Sequence, residues 1–228
     1  YAGLLEFWKN RSRVVSDPEL RVTLAFRMGE LCEDKLQDYA EAKSNYERIL
    51  DLAPNYSPAL EALERVYIRL KEWSGLAGIY EQRSVLASTD SAKCLQLHRA
   101  ASIFENRLDD TERAIVFYRR ALEFVPDFPP SIDACTRILF AKDSWEDLAT
   151  VLNNAASASN DESVIVGLHY RAARICAERI GSVNVAIEHL KKCLELSSGF
   201  LPAHNLLKEL AAESGMHAEL MSLQVVEA

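Results

Sequence analysis

The amino-acid sequence predicts an all-α protein, a solenoid of antiparallel helix pairs with about 13 helices. The first observation is an internal repeat: residues 27–58 return as 99–130 and again as 171–202, each time after 72 residues and without a gap. Equivalent positions keep their character, as in Arg27, Arg99 and Arg171; Leu36, Leu108 and Ile180; Ala42, Ala114 and Ala186; and Pro58, Pro130 and Pro202. A period held this strictly indicates a stacked array of like units.

The second observation is composition. Hydrophobic residues make up 49% of the chain and charged residues 26%, which is enough apolar material for a continuous core. With only 8 Gly and 7 Pro, little room is left for long loops or many β-turns. Most of the prolines follow helix-like runs, where helices end; they are Pro54, Pro58, Pro126, Pro129, Pro130 and Pro202.

Residues 1–15 are predicted to be the second helix of an incomplete pair. After a shift of 72 residues they match residues 73–87, and Trp8 then falls on Tyr80. The stretch therefore repeats a second helix whose first helix is not in the sequence. We expect the sequence to be a fragment of a longer array, entered and left within a pair, because neither end resembles the polar cap of a solenoid.

The remaining helices are predicted to form pairs with short turns between them. The pairs span 17–54, 57–88, 90–126, 129–158 and 162–198, and a last, possibly incomplete pair spans 201–228. Asp17 reads as an N-cap followed by proline in the first turn. Asp38 and Glu41 form a capping-box pattern, in which each side chain satisfies a backbone N–H of the other residue. Asp110 and Ser182 occupy the same place in later copies, and odd pairs carry one extra residue in the turn before this cap.

Each pair resembles a tetratricopeptide repeat, a helix–turn–helix unit of 34 residues with a set pattern of small and large positions. In the pair 57–88 the pattern is carried by Leu60, Leu63, Tyr67, Leu76 and Tyr80. In the preceding pair it is carried by Met28, Gly29, Ala42, Tyr46 and Pro54. The resemblance implies one right-handed α–α superhelix over residues 1–228, which acts as a protein–protein interaction scaffold.

Several functional classes are disfavoured by the sequence. The formal net charge of −8 argues against nucleic acid as the main partner, because phosphate backbones require a basic surface. No apolar run is long enough to span a membrane. The five histidines lack metal-ligand spacing, and no glycine-rich phosphate loop or nucleophile elbow occurs, so we predict no enzymatic activity, no cofactor and no metal.

The five cysteines are widely spaced and form no CxxC motif. We predict that they are buried free thiols, which favours a reducing compartment and hence the cytoplasm. Because the sequence starts at Tyr1, a preceding targeting segment stays an open alternative.

The resemblance also implies a binding groove, since the first helix of each pair lines the concave face of such arrays. Carried onto this chain, the groove positions hold six arginines, three rings and several acids; the candidate site residues are Phe26, Arg27, Glu30, Glu61, Arg65, His98, Arg99, Asp133, Arg137, Tyr170, Arg171 and Arg174. The lysine and asparagine with which chaperone-binding relatives clamp a carboxylate are replaced here by Phe26 and Glu30.

Two interpretations of the arginines stay open. They pair with Glu30, Glu61 and Asp133 and tie neighbouring pairs together, or they bind an extended or helical partner segment with acidic and apolar side chains. Arginine suits the second role because its planar fork binds carboxylates and stacks on rings. The alternative function is a regulatory or assembly segment of a larger enzyme or complex, which docks through its convex face or its ends.

Overall fold

The structure, a computed structural model, describes residues 1–213, and all regular secondary structure within them is helical. The helices are α1 (Ala2–Val14), α2 (Pro18–Leu31), α3 (Tyr39–Leu52), α4 (Ser57–Leu70), α5 (Trp73–Leu86), α6 (Asp90–Asn106), α7 (Thr111–Phe124), α8 (Pro129–Ala141), α9 (Trp145–Ala158), α10 (Glu162–Ile175), α11 (Val183–Leu196) and α12 (Leu201–Glu213). The predicted all-α fold is confirmed with twelve described helices, and the thirteenth predicted helix lies outside the described residues.

The chain divides into two compact units, Tyr1–Phe117 and a second one that begins at Tyr118. In the first unit α2 packs on α3, α3 on α4, α4 on α5 and α5 on α6. In the second unit the same nearest-neighbour packing joins α8 to α9, α9 to α10, α10 to α11 and α11 to α12. Each unit is therefore a run of helix pairs in which every helix buries its apolar face on the next.

The core of each unit consists of the positions that recur every 72 residues. Ala42, Ala114 and Ala186 are fully buried, and each lies in the first half of the second helix of its pair. All five cysteines are free and buried, which confirms the prediction. Burial raises the pKa of the Cys32 and Cys94 thiols to about 11, so neither is an activated nucleophile.

In two of the three odd pairs the extra residue is accommodated as a π-helical turn. Such turns extend α2 over Cys32–Leu36 and α10 over Cys176–Ile180. The amide of Asp38 donates to the Cys32 carbonyl at 2.9 Å, and that of Ser182 donates to the Cys176 carbonyl at 2.8 Å. One inserted residue widens the last turn, so the helix ends with its carbonyls satisfied and without a longer loop.

A residue in the left-handed region reverses the chain after the first helix of all three odd pairs, including α6, which has no π turn. The three equivalent residues are Gln37 with φ 54°, Asp109 with φ 52° and Gly181 with φ 76°. Glycine adopts this conformation without steric cost, whereas glutamine and aspartate are strained in it. The turn geometry therefore comes from the hydrogen-bonded helix end rather than from an obligatory glycine.

The predicted helix N-caps are confirmed in part. Asp17, Asp38 and Asp110 accept a backbone N–H in the first turn of their helices, at 2.8–3.1 Å. The reciprocal half of the capping box is wrong, because the Asp38 amide already donates to a carbonyl of the π turn and the Glu41 carboxylate pairs with Lys9 at 2.9 Å. Ser182 holds the N-cap position, but its side chain makes no capping hydrogen bond.

Candidate functional site

The twelve predicted groove residues lie on the first helices of the pairs, and none of them is buried. The first unit contains the seven up to Arg99, and the second contains the five from Asp133 onward. Their accessibility is what the repeat pattern requires, because the apolar positions of the same helices are used by the core. Their partners, however, differ from those expected.

At the start of the first unit, Phe26 on α2 packs against two tyrosine rings. Its centroid lies 5.6 Å from that of Tyr46 and 6.0 Å from that of Tyr56, the latter edge-on. Arg27, next to it, is exposed and lies 3.8 Å from the Glu30 carboxylate one turn later. An exposed pair at this distance contributes little stability and leaves the guanidinium accessible to a ligand.

Arg65 on α4 is bound by the carboxylate of Glu33, which was not predicted to be its partner. Its Nε and Nη2 donate to the two oxygens of Glu33 at 3.0 and 3.1 Å, and the Tyr46 hydroxyl donates to Glu33 at 3.0 Å. This bond to Glu33 raises the pKa of the Arg65 guanidinium. The expected partner, Glu61, offers only its backbone carbonyl at 3.4 Å, so Arg65 ties α4 to the preceding pair through Glu33.

His98 and Arg99 follow on α6. Burial lowers the pKa of His98, which keeps the ring neutral at physiological pH. The Arg99 guanidinium lies 5.8 Å from the centre of the Tyr80 ring on α5. The Tyr80 hydroxyl in turn donates to Glu64 at 2.9 Å, and Glu64 also pairs with Arg83. Arg99 is thus placed by a ring and remains exposed.

In the second unit, Tyr170 and Arg171 lie side by side on α10. The Tyr170 ring packs edge-on against Phe200 at 5.3 Å. Arg171 donates from Nη2 to the Thr136 hydroxyl at 2.9 Å, and its Nη1 lies 3.8 Å from the Asp133 carboxylate. Asp133 is expected to pair with a groove arginine, and it does so with Arg171 at a long distance; the pair joins α10 to α8.

Arg174 and Arg137 complete the predicted set. Arg174 donates to both oxygens of Glu178, one turn later, at 2.7 and 3.1 Å. This hydrogen bond lowers the pKa of the Glu178 carboxyl and raises that of Arg174. Arg137 is exposed on α8, one turn after Asp133.

Three of the five predicted groove residues of the second unit line a pocket of about 250 Å³, here called the arginine pocket. It is lined by Thr136, Phe140, Leu148, Tyr170, Arg171, Arg174, Ile175, Glu178 and Arg179. Three of the predicted site residues, Tyr170, Arg171 and Arg174, are brought together here. Asp133 and Arg137 lie outside its lining.

Two arginines stacked on tryptophan were missed by the sequence reasoning. Arg107 lies over the Trp73 ring at 4.9 Å, and Arg179 lies over Trp145 at 5.1 Å and over Phe140 at 5.8 Å. The two arginines are 72 residues apart, and so are the two tryptophans. The repeat therefore contained a signal, namely an arginine and a tryptophan that recur together. Each pair is worth about 0.5–1 kcal/mol at an exposed site.

A second pocket, of about 540 Å³, lies between second helices α7 and α9 of the second unit. Its lining is mostly apolar, with Leu122, Pro126 and Val151, and Arg119 pairs with Asp147 at 2.8 Å at its side. It contains none of the predicted groove residues.

The chemistry available at these sites is that of binding. Among residues 1–213 there is no group of three or more side chains able to hold a metal ion. None of the described helices combines the length and the apolar character needed to cross a bilayer. What the described groove offers is guanidinium groups beside aromatic rings, a combination enriched at protein interfaces.

Comparison with known proteins agrees with this architecture. Residues 22–56 and 59–92, which cover most of α2–α3 and of α4–α5, each match a family model described as a tetratricopeptide repeat. No curated protein matches the chain.

Among solved structures, a TPR repeat protein from Bacteroides fragilis is similar with a TM-score of 0.54 and 11% identity, over 87% of this chain and 100% of that one. YrrB, described as a TPR protein with an unusual peptide-binding site, has a TM-score of 0.38 and 14% identity over 81% of this chain and 91% of its own. MamA has a TM-score of 0.40 and 16% identity over 87% and 91%. At these identities the first match shows the fold alone, and the two lower scores support no argument.

Proposed function

The chain is a tetratricopeptide-like helical repeat protein, a scaffold for protein–protein interaction, and we propose that the twelve groove residues bind a partner peptide or helix with acidic and apolar side chains. The observation that carries the proposal is the exposure of the groove arginines and the kind of contact that each one makes. Arg27, Arg99 and Arg174 are exposed. Arg27 lies 3.8 Å from a carboxylate, Arg99 lies over a tyrosine ring, and Arg174 binds a glutamate one turn later. Positively charged forks therefore remain on the surface of a chain whose net charge is −8.

Both interpretations of the arginines have support. Arg65 and Arg171 connect helices of neighbouring pairs through Glu33 and Asp133, as a structural role requires. The Arg171–Asp133 pair is exposed and worth at most about 1 kcal/mol, so a partner's carboxylate can replace Asp133 without a large cost in stability. Glu33 is held more firmly, because its side chain is only 14% exposed and also accepts from Tyr46, so Arg65 keeps this bond and offers a partner its exposed edge. The proposal accordingly assigns both roles to the same side chains.

Charge reversal of one groove arginine in each unit tests the proposal. The double variant Arg99→Glu/Arg137→Glu is expected to lose a partner captured by the unmodified chain, while its helicity by circular dichroism is unchanged. A matched variant with the same change in net charge, Arg48→Glu/Lys191→Glu, alters exposed positions on second helices and should retain the partner. Equal capture by all three proteins would refute the groove proposal.

A second candidate is docking through the second-helix face, as expected for an assembly segment of a larger complex. The pocket between α7 and α9 favours it, because its apolar lining is open to solvent. Replacement of Ala158, an exposed residue at this pocket, by lysine distinguishes the two. A loss of partner with Ala158→Lys, and none with the groove reversal, assigns the binding to this face.

A further inference from the structure

We propose that the arginine pocket of the second unit is a specificity subsite, which takes one aromatic side chain from an acidic segment of a partner protein. The inference rests on the proposed function, since it names the kind of segment that the groove binds. Its volume of about 250 Å³ lies below that of a typical small-molecule site and fits a single large side chain.

The charge of the pocket selects an acidic segment. Its lining contains three arginines and one glutamate, Glu178. Glu178 is fully engaged by Arg174, with both carboxylate oxygens accepting from that guanidinium. Arg171 donates to the neutral Thr136 hydroxyl, and its carboxylate partner Asp133 lies 3.8 Å away with a side chain that is 72% exposed. Two guanidinium groups, of Arg171 and Arg179, thus keep their charge available at the rim.

The rings of the pocket select an aromatic side chain. Phe140 is 52% exposed, although it is a large apolar side chain. Its ring stands edge-on to Trp145 at 5.0 Å, and the Arg179 guanidinium lies over both rings. On the other side Tyr170 is held edge-on by Phe200. An incoming ring can stack on these groups, and the surrounding arginines receive its acidic neighbours.

The first unit provides an internal comparison. Its residues 72 positions earlier are Glu64 for Thr136, Ile68 for Phe140, His98 for Tyr170, Ser102 for Arg174 and Arg107 for Arg179. An arginine is lost, a carboxylate is gained at Glu64 while Glu178 is replaced by Asn106, and the phenylalanine and tyrosine rings give way to isoleucine and histidine. Glu64, moreover, is held in place by Tyr80 and Arg83. The equivalent surface of the first unit should therefore bind an acidic aromatic segment weakly.

The test uses the whole chain and short fluorescein-labelled peptides, with binding followed by fluorescence anisotropy. The probe has a central tryptophan between glutamates; one control peptide carries alanine for tryptophan, and another carries lysines for the glutamates. We expect the unmodified chain to bind the probe at least about tenfold more tightly than either control peptide.

Two variants in the pocket have matched partners in the first unit. Arg179→Glu and Phe140→Ala should each lower the affinity for the probe by about tenfold or more. Arg107→Glu and Ile68→Ala should change that affinity by less than about twofold. Circular dichroism verifies that all four are folded. Equal losses from Arg179→Glu and Arg107→Glu, or no preference of the unmodified chain for the probe, would overturn the inference.

Failure of the inference can be separated from failure of the proposed function. If Arg99→Glu/Arg137→Glu loses the captured partner while Arg179→Glu and Phe140→Ala bind it normally, the groove binds the partner but the arginine pocket does not determine which partner is bound. If the captured partner tolerates the groove reversal, the proposed function itself is wrong, whatever the peptides show.

Discussion

At the residue scale, two glycines show how closely the helices of a pair approach. A Cβ added at Gly29 would lie less than 3.0 Å from three atoms of the Tyr46 ring, and one at Gly75 would meet the Tyr67 ring at 2.6 Å. The Tyr46 ring cannot yield, because it is fully buried and its hydroxyl is bound to Glu33. Glycine is therefore needed here for close approach, not for backbone freedom.

Replacement of Gly29 by alanine tests this packing. Although alanine favours a helix, we expect Gly29→Ala to lower the free energy of unfolding by about 1–3 kcal/mol, because the added methyl overpacks the Tyr46 ring. The measurement is urea denaturation followed by circular dichroism.

A matched glycine serves as the control. Gly78 is also within a helix, is exposed, and a Cβ there meets nothing within 4 Å. Gly78→Ala should raise the free energy of unfolding by about 0.5–1 kcal/mol through helix propensity alone. Two variants with the same sign would contradict the packing described for α2 and α3.

At the scale of the helices, a buried contact joins α10 to α11. The Nδ1 atoms of His169 and His189 lie 3.0 Å apart, so one ring donates and the other accepts. Both rings are buried, at 5% and 8% exposure. Burial lowers the pKa of His169 to about 4, assisted by the nearby His189 and Lys192, and it also lowers the pKa of His189. The hydrogen bond requires one unprotonated Nδ1 as acceptor, so it is lost when both rings are protonated.

The pair predicts a loss of stability in acid. A histidine of the unfolded chain takes up a proton near pH 6.5, whereas folded His169 does so only near pH 4. The contribution is therefore complete above about pH 6.5 and is lost as the pH falls toward 4, by an amount on the order of 2–3 kcal/mol. The free energy of unfolding measured at pH 7, 5.5 and 4 tests it.

The control removes the titrating pair while retaining hydrogen-bonding side chains. In His169→Gln/His189→Gln the decline between pH 6.5 and 4 should be smaller by the same amount. The acidic caps Asp110 and Asp161, whose pKa is lowered by hydrogen bonds from their helix N-termini, remain in both proteins and cancel in the comparison. Parallel pH curves for the two proteins would rule out the histidine pair as the source.

At the scale of the whole molecule, the five cysteines report on folding throughout the described chain. Each lies on the apolar face of a different helix or π turn: Cys32, Cys94, Cys135, Cys176 and Cys193. Because burial both covers the thiols and disfavours the thiolate, reaction with a disulfide reagent requires opening of the core.

We therefore expect no rapidly reacting thiol in the native chain and five in denaturant. The reaction is followed by absorbance with an aromatic disulfide. Ser88→Cys, which places a thiol at an exposed position after α5, should add one fast equivalent and so verify the assay. Rapid modification of several thiols in the unmodified protein would contradict the core.

Most of the fold could be predicted from the sequence. The 72-residue period, the helix pairs, the buried alanines and cysteines and the caps at Asp17, Asp38 and Asp110 are set by residues close to one another along the chain. Hydrophobic spacing and first-turn hydrogen bonds are local, and the repetition of each pattern reinforces it. For the same reason the accessible side of the first helices followed from the pattern, whereas the choice of candidate site residues on it came from the resemblance to tetratricopeptide repeats and stays a prediction.

Only the tertiary structure decided which side chains meet. Glu33, rather than Glu61, holds Arg65; Arg179 stacks on rings of α8 and α9; and His169 meets His189. These contacts join residues from different helices, and each depends on side-chain rotamers. Glu33 and Arg179 also lie within the π turns that follow α2 and α10. Such choices depend on packing across neighbouring helices, which residue spacing along one helix does not encode.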